Sequence, residues 1–320
     1  IVIKIGSSLL SDQEGELRIN WLSGLVEDIN ELNKKGIKVV LVSSGAVSLG
    51  RNAINKTRDK LRIEEKQAAS AVGQPLLITE YSKLFKRYDK KCAQILITIP
   101  DTENRRRYLN TQNTLDSLLE NDIAPIVNEN DTIATDELRF GDNDRLSALV
   151  AQMIMADYLV ILSDIDGLYT DDPNKNPEAK FIEVVESIDD EIKSLGKDSI
   201  SGTGSGGMIT KIRAAEIASV SGCKTIITSG KNENPIKKLI QGTKHTLFES
   251  YDTPISARKN WIHNSIKCKG EVVVDEGAAS ALKKGNSLLP VGIKKTKYRF
   301  SRGDIVFICK KKKKKIAKGI

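Results

Sequence analysis

The sequence predicts an α/β protein, in which helices cover a mostly parallel β-sheet and a small β-rich domain follows. First, short apolar runs rich in Val and Ile alternate with amphipathic helical patterns through at least five units. Second, this alternation stops between Ser250 and Asn264, and the apolar runs that follow are short and strand-like. Third, a length of 320 residues favours two domains over one.

Each element before residue 250 is predicted from its own pattern. Strands are predicted where a short run of apolar residues is closed by Gly, Ser or polar residues, and helices where apolar residues recur every three or four positions. In order, the predicted elements are a strand at Ile1–Ile5, a helix at Trp21–Lys35 ended by Gly36, a strand at Lys38–Val42, a helix at Glu64–Arg87, a strand at Ala93–Ile99, a helix at Arg105–Glu120, a strand at Ile123–Val127, a helix from Asn143 to Ala156, a strand at Tyr158–Leu162, a turn-rich loop at Asp166–Pro177, a helix that includes Met208–Ala218, a strand at Lys224–Thr228 and a short helix ending near Gln241.

The change of pattern near Tyr251 predicts a domain boundary. We expect a first domain at residues 1–250, a linker at 251–265 and a second domain at 266–320. The strand-like runs of the second domain are Glu271–Val274, Gly292–Ile293, Asp304–Cys309 and Ile316–Ala317.

Composition and charge exclude several classes of protein. The formal net charge is +8, but Lys310–Lys315 are six consecutive lysines, and without them the charge is only +2. The four cysteines lie far apart, so neither a disulfide framework nor a zinc site with paired cysteines is expected. No apolar run reaches the ~18 residues of a membrane span. The chain opens within a strand-like run, so we expect no signal sequence and a cytoplasmic location.

Carboxylates and amides are densest between two apolar runs in the middle of the chain. They occupy Asn128-Glu129-Asn130-Asp131, which follows a predicted strand, and Gly141-Asp142-Asn143-Asp144, which opens a predicted helix. Asp142 alone is explained as the cap of that helix, but a cap does not explain the whole group. Polar side chains at the carboxyl end of a strand, beside a helix start, are where open α/β sheets bind ligands.

A glycine-rich segment opens another predicted helix. Ser201–Gly207 contains four glycines, and Lys211 lies in the first turn of the helix that follows. A flexible backbone at a helix N-terminus presents N–H groups and positive potential to an anion. The segment is therefore a candidate phosphate site, with a mobile linker as the alternative. The turn at Gly6-Ser7-Ser8, beside Lys4, is a weaker candidate of the same kind.

Three arginines, Arg105–Arg107, open the helix that ends at Glu120. Their positive charges oppose the helix dipole, so contact with an anionic ligand or a neighbouring subunit is conceivable. We favour a solvated helix face instead, because short runs of like charge usually face water.

Six motifs occur together in a specific order. They are Lys4-Ile5-Gly6-Ser7-Ser8, Ser43-Ser44-Gly45-Ala46, Asn128-Glu129-Asn130-Asp131, Gly141-Asp142-Asn143-Asp144, Asp166-Gly167-Leu168-Tyr169 and Gly206-Gly207-Met208-Ile209-Thr210-Lys211. In this order and spacing the chain resembles the glutamate 5-kinases of the amino-acid kinase family. The segments Glu271–Ala278 and Gly285–Pro290 resemble the PUA domain that many of these kinases carry. The resemblance implies an amino-acid kinase fold followed by a PUA-like domain, whose closing part we expect to be missing.

The resemblance also implies roles for individual residues. The implied catalytic residues are Lys4, Lys211 and Asp144, with Asp144 organising the two lysines. The implied glutamate-binding residues are Ser44, Asp131, Asn143 and Asp142. The implied nucleotide-binding residues are Lys4, Gly6, Ser163, Asp164, Ser205, Gly206, Gly207, Met208, Ile209, Thr210 and Lys211.

The implied reaction transfers a phosphoryl group from ATP to the side-chain carboxylate of L-glutamate, the first step of proline biosynthesis. Such a carboxylate is already ionised at neutral pH, so no general base is needed, which fits a chain whose two histidines, His245 and His263, lie outside the candidate site. Lysines and Mg²⁺ would stabilise the transferred phosphoryl group, with Mg²⁺ held mainly by the ATP phosphates and not by a protein metal site. Feedback inhibition by proline is implied by the resemblance, and we also expect a homo-oligomer.

Two other functions remain open at this point. One is a sister kinase that uses N-acetylglutamate, aspartate or UMP, although the acidic stretch favours an acceptor with a free amine. The other is an RNA-binding protein that acts through the PUA-like tail and carries an inactive kinase domain. The complete set of charged residues in the first domain argues against this second alternative.

Overall fold

A computed structural model of the chain describes residues 1–12, 14–54, 61–133, 143–173, 175–196, 207–251, 253, 270–300, 303–310 and 315–319. The strands are β1 (Val2–Ile5), β2 (Val40–Val42), β3 (Lys91–Ile97), β4 (Ile123–Glu129), β5 (Tyr158–Ser163), β6 (Leu168–Tyr169), β7 (Phe181–Ile182), β8 (Val184–Val185), β9 (Lys224–Ser229), β10 (His245–Phe248), β11 (Gly270–Val274), β12 (Ile293–Lys297), β13 (Val306–Cys309) and β14 (Lys315–Gly319).

The helices alternate with these strands. They are α1 (Ser7–Leu10), α2 (Ile19–Lys34), α3 (Ala46–Gly50), α4 (Ile63–Lys86), α5 (Ile99–Glu103), α6 (Arg105–Glu120), α7 (Asn143–Met153), α8 (Asp190–Leu195), α9 (Met208–Val220), α10 (Pro235–Ile240) and α11 (Glu276–Lys283).

The first part of the chain is organised around one sheet of eight described strands, in the order β3-β4-β2-β1-β5-β9-β10-β8. Neighbouring strands run parallel, except that β10 is antiparallel to β9. Val2 in β1 lies beside Val40 on one side and Leu159 on the other. Because parallel strands end at the same edge, the residues that follow β1, β2, β4, β5 and β9 are brought to one edge of the sheet.

Two hydrophobic cores lie on the two faces of this sheet. Side chains alternate across a strand, so Val2 belongs to the core under α7 and α9, whereas Ile3 and Ile5 belong to the core under α2 and α4. Buried residues at helical spacing supply the helix side of the first core: Leu146, Val150, Met153, Met208, Ile212, Ala215 and Ala218. Those of the second core include Leu22, Leu25, Ile29, Leu77, Tyr81 and Phe85.

Helices α3 and α4 approach each other unusually closely because glycines lie at their contact. A Cβ atom added to Gly50 would lie 1.8 Å from the backbone oxygen of Ala69, and one added to Gly73 would lie 1.8 Å from that of Ala46. No side chain fits in such a space, so both positions require glycine. The contact joins α4 to the turn that follows β2.

The last described residues form a separate small sheet in the order β12-β11-β13-β14. Helix α11 covers it, with Val272, Val274, Ala279, Val306 and Ile308 in its core. Strands β13 and β14 pair in antiparallel fashion. Residues 311–314 of the lysine run lie outside the described residues.

The small sheet contacts the first part of the chain at the start of α6. Arg105 Nε donates a hydrogen bond to the backbone oxygen of Gly303 at 3.0 Å, and its guanidinium lies 5.3 Å from the centre of the Tyr108 ring. Arg107 pairs with Asp101 at 2.8 Å. The predicted solvated face therefore holds for Arg106 and Arg107, which are exposed, but is wrong for Arg105.

The predicted fold class is confirmed, and most predicted elements agree with the structure within two residues. Several details were wrong. Asn128 and Glu129, expected in a loop, are buried residues of β4, because the loop begins only after Glu129. Ile99, predicted as the last residue of a strand, instead begins α5. Helix α7, predicted to extend to Ala156, ends at Met153, two residues before Met155, which has a positive φ. Several short elements were not predicted, because each is too short to show a clear period: α1, α3, α5, α8, α11, β6, β7, β8 and β10. The predicted domain limits stay a prediction.

Candidate active site

A buried carboxylate lies between two lysines at the edge of the sheet where the strands end. Asp144 is the second residue of α7 and is only 1% exposed. Lys4 Nζ lies 2.6 Å from Asp144 Oδ1, and Lys211 Nζ lies 3.3 Å from Asp144 Oδ2. Both lysines are themselves almost completely buried. The structure thus brings together the three residues that the sequence predicted as catalytic.

The local fold explains why these residues meet. Lys4 follows Val2 at the strand period of two, so its side chain leaves β1 on the face that α7 and α9 cover. Lys211 follows Met208 at helical spacing, on the stripe of α9 that faces the sheet. Asp144 lies in the first turn of α7, where a negative charge is favoured by the helix dipole.

Opposing effects act on the pKa of the Asp144 carboxyl. Burial raises this pKa, but the charges of Lys4 and Lys211, together with hydrogen bonds, outweigh burial and hold the pKa at about 2. One of those hydrogen bonds comes from Thr210 Oγ1, which donates to Asp144 Oδ2 at 2.8 Å. Two lysines against one carboxylate leave an excess of positive charge. A buried excess of this sign favours an anionic ligand.

Backbone groups suited to phosphate surround this centre. Gly207 precedes α9, so the N–H groups of Met208 and Ile209, at the start of the first helical turn, lie close to Lys211 in the sequence and are suited to an anion. The N–H of Thr210 instead donates to the backbone oxygen of Gly207 at 3.2 Å. Gly6 donates its N–H to the backbone oxygen of Leu162 at 3.2 Å, which holds the turn after β1 against the end of β5.

The predicted nucleotide site is only partly described. Ser163, the last residue of β5, donates from its hydroxyl to Asp164 Oδ1 at 3.0 Å. Of the remaining predicted residues, Ser205 and Gly206 lie outside the described residues, as does Asp142 of the predicted glutamate site. His245 lies in β10, where its Nδ1 is within hydrogen-bond distance, 2.8 Å, of the backbone oxygen of Thr243.

Asn143 joins the ends of β2 and β4. Its Nδ2 lies 2.8 Å from the backbone oxygen of Ser43, 2.8 Å from Ser44 Oγ and 3.1 Å from Asn128 Oδ1. Asn143 Oδ1 and Asn128 Nδ2 are both buried, and neither forms a hydrogen bond with a described residue. A buried amide that lacks a partner indicates a position where a ligand or water supplies the missing group.

Asp131 lies on the turn that follows β4. The turn is anchored because Asn130 donates its N–H to the backbone oxygen of Ile97 at 2.9 Å. The Asp131 side chain does not bond to this turn, since Asp131 Oδ2 accepts instead from Ser70 Oγ of α4 at 2.7 Å. Burial raises the pKa of the Asp131 carboxyl, and the Ser70 hydroxyl partly opposes that rise. Among the described residues, no lysine or arginine pairs with this carboxylate.

Three residues of the site were not singled out from the sequence. Asn128 belonged to the acidic and amide-rich stretch but received no role of its own. Ser70 and Tyr81 come from the interior of α4, where a serine or a tyrosine among helix formers carries no special signal. Tyr81 OH lies 3.2 Å from Ser43 Oγ and so supports the turn before Ser44.

The comparison with protein families agrees with this geometry. The family model described as "Amino acid kinase family" matches residues 1–229 of the chain. The chain belongs to the amino acid kinase family. A second model, described as "PUA domain", matches residues 270–320, which contain the small sheet and α11.

Relatives of the chain within the amino acid kinase family include proteins named "Glutamate 5-kinase". The one from Agrobacterium fabrum is 47% identical over 320 residues, which is 100% of this chain and 82% of the relative. The one from Rhizobium johnstonii is 48% identical over the same length and shares.

Solved structures of two other kinases share the fold. A carbamate kinase from Giardia lamblia bound to AMP-PNP has a TM-score of 0.54 at 20% identity and covers 78% of this chain and 97% of its own. A UMP kinase from Ureaplasma parvum has a TM-score of 0.55 at 15% identity with the same two coverages. At such low identity these likenesses concern the fold alone.

Proposed function

We propose that this chain transfers the γ-phosphoryl group of ATP to the side-chain carboxylate of L-glutamate, which yields ADP and L-glutamyl 5-phosphate, the first step of proline biosynthesis. The observation that carries the proposal is the buried Asp144 between Lys4 and Lys211, at the sheet edge beside the first turn of α9. The relatives named for glutamate 5-kinase, which match this chain along its whole length, support the choice of substrate.

The chemistry needs positioning and charge more than proton transfer. The acceptor carboxylate is ionised at neutral pH, so it attacks the γ-phosphorus without a general base. Negative charge then spreads over the transferred oxygens, and Lys4 and Lys211 lie where they can stabilise it. Asp144 keeps the two ammonium groups close together and stays anionic, because its pKa is held at about 2.

The acceptor side of the site favours a free amine. Asp131 is a half-buried carboxylate that pairs with no basic group among the described residues, and a buried charge without a partner is unfavourable. The ammonium group of glutamate supplies the missing cation, whereas the acylated amine of N-acetylglutamate does not. Ser44 and Asn143, which are bonded to each other at 2.8 Å, would contact the rest of the amino acid.

The residues near Lys211 suit ATP, because backbone N–H groups and lysines are the usual partners of phosphate. Mg²⁺ would supply further positive charge to the transferred oxygens. Among the residues that the structure describes, no group of three His, Cys, Asp or Glu side chains is placed to hold a metal ion. We therefore assign Mg²⁺ to the ATP phosphates, in keeping with its preference for water and phosphate oxygens.

We also propose that two copies of the chain associate through α4. The outer face of this helix carries an exposed stripe of mostly apolar side chains at helical spacing, which is Ala68, Ala71, Val72, Pro75, Leu76 and Thr79. Leu76 is 51% exposed and Val72 is 39% exposed. If two α4 helices crossed antiparallel at Pro75, Glu64 of each would face Lys86 of the other, so the contact is self-complementary in charge.

For the small domain we propose at most weak RNA binding without sequence preference. Several of its described lysines already lie in ion pairs: Lys297 with Glu271, Lys294 with Asp275 and Lys310 with Glu276. Such pairs reduce the positive charge available to a phosphate backbone. The kinase domain would then act without this tail, and we place its end near residue 250 and the start of the tail domain near 266.

We expect the enzyme to be cytoplasmic, where ATP and glutamate are available. Within the described part of the chain, no helix has both the length and the apolar character needed to cross a membrane.

The decisive experiment is an ADP-release assay with four acceptors, L-glutamate, N-acetyl-L-glutamate, L-aspartate and UMP. We expect turnover with L-glutamate to exceed that with N-acetyl-L-glutamate and UMP by about a hundredfold or more, since neither carries an ammonium group to pair with Asp131. We expect a smaller preference, about tenfold or more, over L-aspartate, which has the ammonium group but is shorter by one methylene. Equal turnover with N-acetyl-L-glutamate would reject the ammonium site at Asp131. Absence of turnover with all four would reject the proposed function.

A further inference from the structure

We propose that Ser70 of α4 is a positioning residue for the acceptor amine, because its hydroxyl fixes the Asp131 carboxylate in the orientation that receives the ammonium group. This inference rests on the proposed function and names a residue that the function does not itself require. Ser70 is completely buried, and its Oγ lies 2.7 Å from Asp131 Oδ2.

The geometry of the pair divides the carboxylate into two halves. Oδ2 accepts the Ser70 hydroxyl, whereas Oδ1 forms no hydrogen bond with any described residue. A carboxylate held by one oxygen keeps the lone pairs of the other for a charged donor. Among the described residues, the backbone bond from Asn130 to Ile97 ties this turn to β3, and the Ser70 hydroxyl is the group that holds the Asp131 side chain.

The position of Ser70 is itself fixed by the packing of α4. Ala69 precedes Ser70, and its backbone oxygen would lie only 1.8 Å from a Cβ atom added to Gly50. Gly50 ends α3, and α3 begins directly after the turn that carries Ser44. The same helix contact therefore sets the distance between Ser44, on one side of the acceptor site, and Ser70 with Asp131 on the other.

The hydroxyl has an electrostatic role as well. Burial raises the pKa of the Asp131 carboxyl, and the hydrogen bond from Ser70 acts in the opposite direction. The hydroxyl thus favours the ionised form, which is the form that pairs with an ammonium group. A neutral hydroxyl does this without bringing a competing positive charge into the site, as a lysine or arginine would.

The test compares Ser70→Ala with the unaltered chain in steady-state kinetics. We expect the KM for L-glutamate to rise about tenfold, as the loss of a hydrogen bond to a charged group implies, while the KM for ATP stays the same. Ser219→Ala is the matched control, because Ser219 is also a buried helical serine but donates only to the backbone oxygen of Glu216. We expect no change in either KM for this control.

A second measurement distinguishes a role of Ser70 in positioning the Asp131 carboxylate from a role in shaping the whole acceptor site. Glutarate has both carboxylates of glutamate but lacks the amine, so its inhibition constant against glutamate should be the same in Ser70→Ala as in the unaltered chain. An equal loss of glutamate and glutarate binding would overturn the inference, since it would mean that Ser70 shapes the whole site. Thermal melting shows whether the variant is folded.

If Ser70→Ala does not fold, Ser70→Cys takes its place, because a thiol is close in size to a hydroxyl and donates only weakly. We expect a KM for glutamate that is higher than in the unaltered chain but lower than the roughly tenfold increase expected for complete loss of the hydrogen bond. Unchanged kinetics in both variants would reject the role of Ser70 while leaving the proposed function intact. Absence of glutamate turnover by the unaltered chain would reject both.

Discussion

Two carboxylates of this molecule, Asp144 and Asp131, lie near the same edge of the sheet but have opposite surroundings. Asp144 is paired with Lys4 and Lys211, and their charges hold its pKa at about 2 despite burial. Asp131 has the hydroxyl of Ser70 as its described partner, and burial raises its pKa. The described residues neutralise the first carboxylate and place no cation against the second. This difference supports the proposal that Asp144 organises protein groups, whereas Asp131 pairs with a ligand.

The comparison is tested most strongly at the lysines. We expect Lys4→Ala and Lys211→Ala each to lower kcat by about a hundredfold or more, which corresponds to about 3 kcal/mol of transition-state stabilisation. Both variants should remain folded, and rapid-quench or coupled assays measure the rates. Lys193→Ala serves as the control, since Lys193 forms only a surface pair with Glu216 at 2.7 Å. Near-normal turnover in either site variant would show that Asp144 does not organise a catalytic centre.

Removing the charge of Asp144 should affect stability as well as rate. We expect Asp144→Asn to lower the free energy of unfolding at pH 7 by about 3 kcal/mol, because two buried lysines lose their partner. The pKa of Asp144 is about 2 in the folded protein, below its value in the unfolded chain, so its contribution is present above about pH 4 and is lost as the pH falls toward 2.

Urea denaturation of both proteins between pH 3 and pH 7 measures this effect. The difference in unfolding free energy should be largest near pH 7 and should shrink at the acid end. A difference that stays constant across this range would mean that Asp144 is not held ionised by the two lysines.

Asp131 should behave differently because its partner is expected to be the substrate. We expect Asp131→Asn to raise the KM for glutamate by about tenfold or more and to leave the KM for ATP nearly unchanged. The free energy of unfolding should change little, since no cation of the described protein loses its partner. Asp122→Asn is a suitable control, because Asp122 is a surface residue that pairs with Lys90 at 2.6 Å. Equal effects on both KM values would assign Asp131 a structural role.

The smallest effect is expected at the tail. A chain that ends at Ser250 should keep kinase activity within about threefold, because the residues that form the candidate active site all precede residue 250. Loss of all activity in a folded truncation would make the tail part of the active enzyme.

RNA binding by the intact chain should be weak, sensitive to salt and independent of sequence, as filter-binding titrations would show. Replacing Lys310–Lys315 by serine should flatten the salt dependence of whatever binding exists. Tight binding that resists salt and selects a sequence would contradict the proposal for this domain.

The sequence predicted the cluster of Lys4, Asp144 and Lys211 better than it predicted the surroundings of Asp131. Lys4, Asp144 and Lys211 each lie next to a local signal, which is a strand end, a helix start or a glycine-rich turn, and parallel strands bring such signals to one edge. Ser70 has no such signal, because it lies in the middle of α4 and reaches Asp131 only through tertiary packing.

The close contact of α3 and α4 was equally invisible in the sequence. It depends on Gly50 and Gly73, two glycines inside helical patterns, where glycine by itself indicates only a weaker helix. Asn128 was assigned to a loop because its amide looked like the end of a strand, but β4 pairs with β3 through Asn128 and Glu129 and so continues past it.

The glycine contact between α3 and α4 also has a consequence for motion. The two backbones are in direct contact, without intervening side chains. Local unfolding of one helix therefore removes the packing of the other, so we expect the two helices to unfold together. Amide hydrogens of Ala46–Gly50 and of the facing turns of α4 should therefore exchange with solvent at one common rate, as a single cooperative unit. Glutamate, which would lie between the turn before α3 and Asp131 beside α4, should slow the exchange of both helices by the same factor.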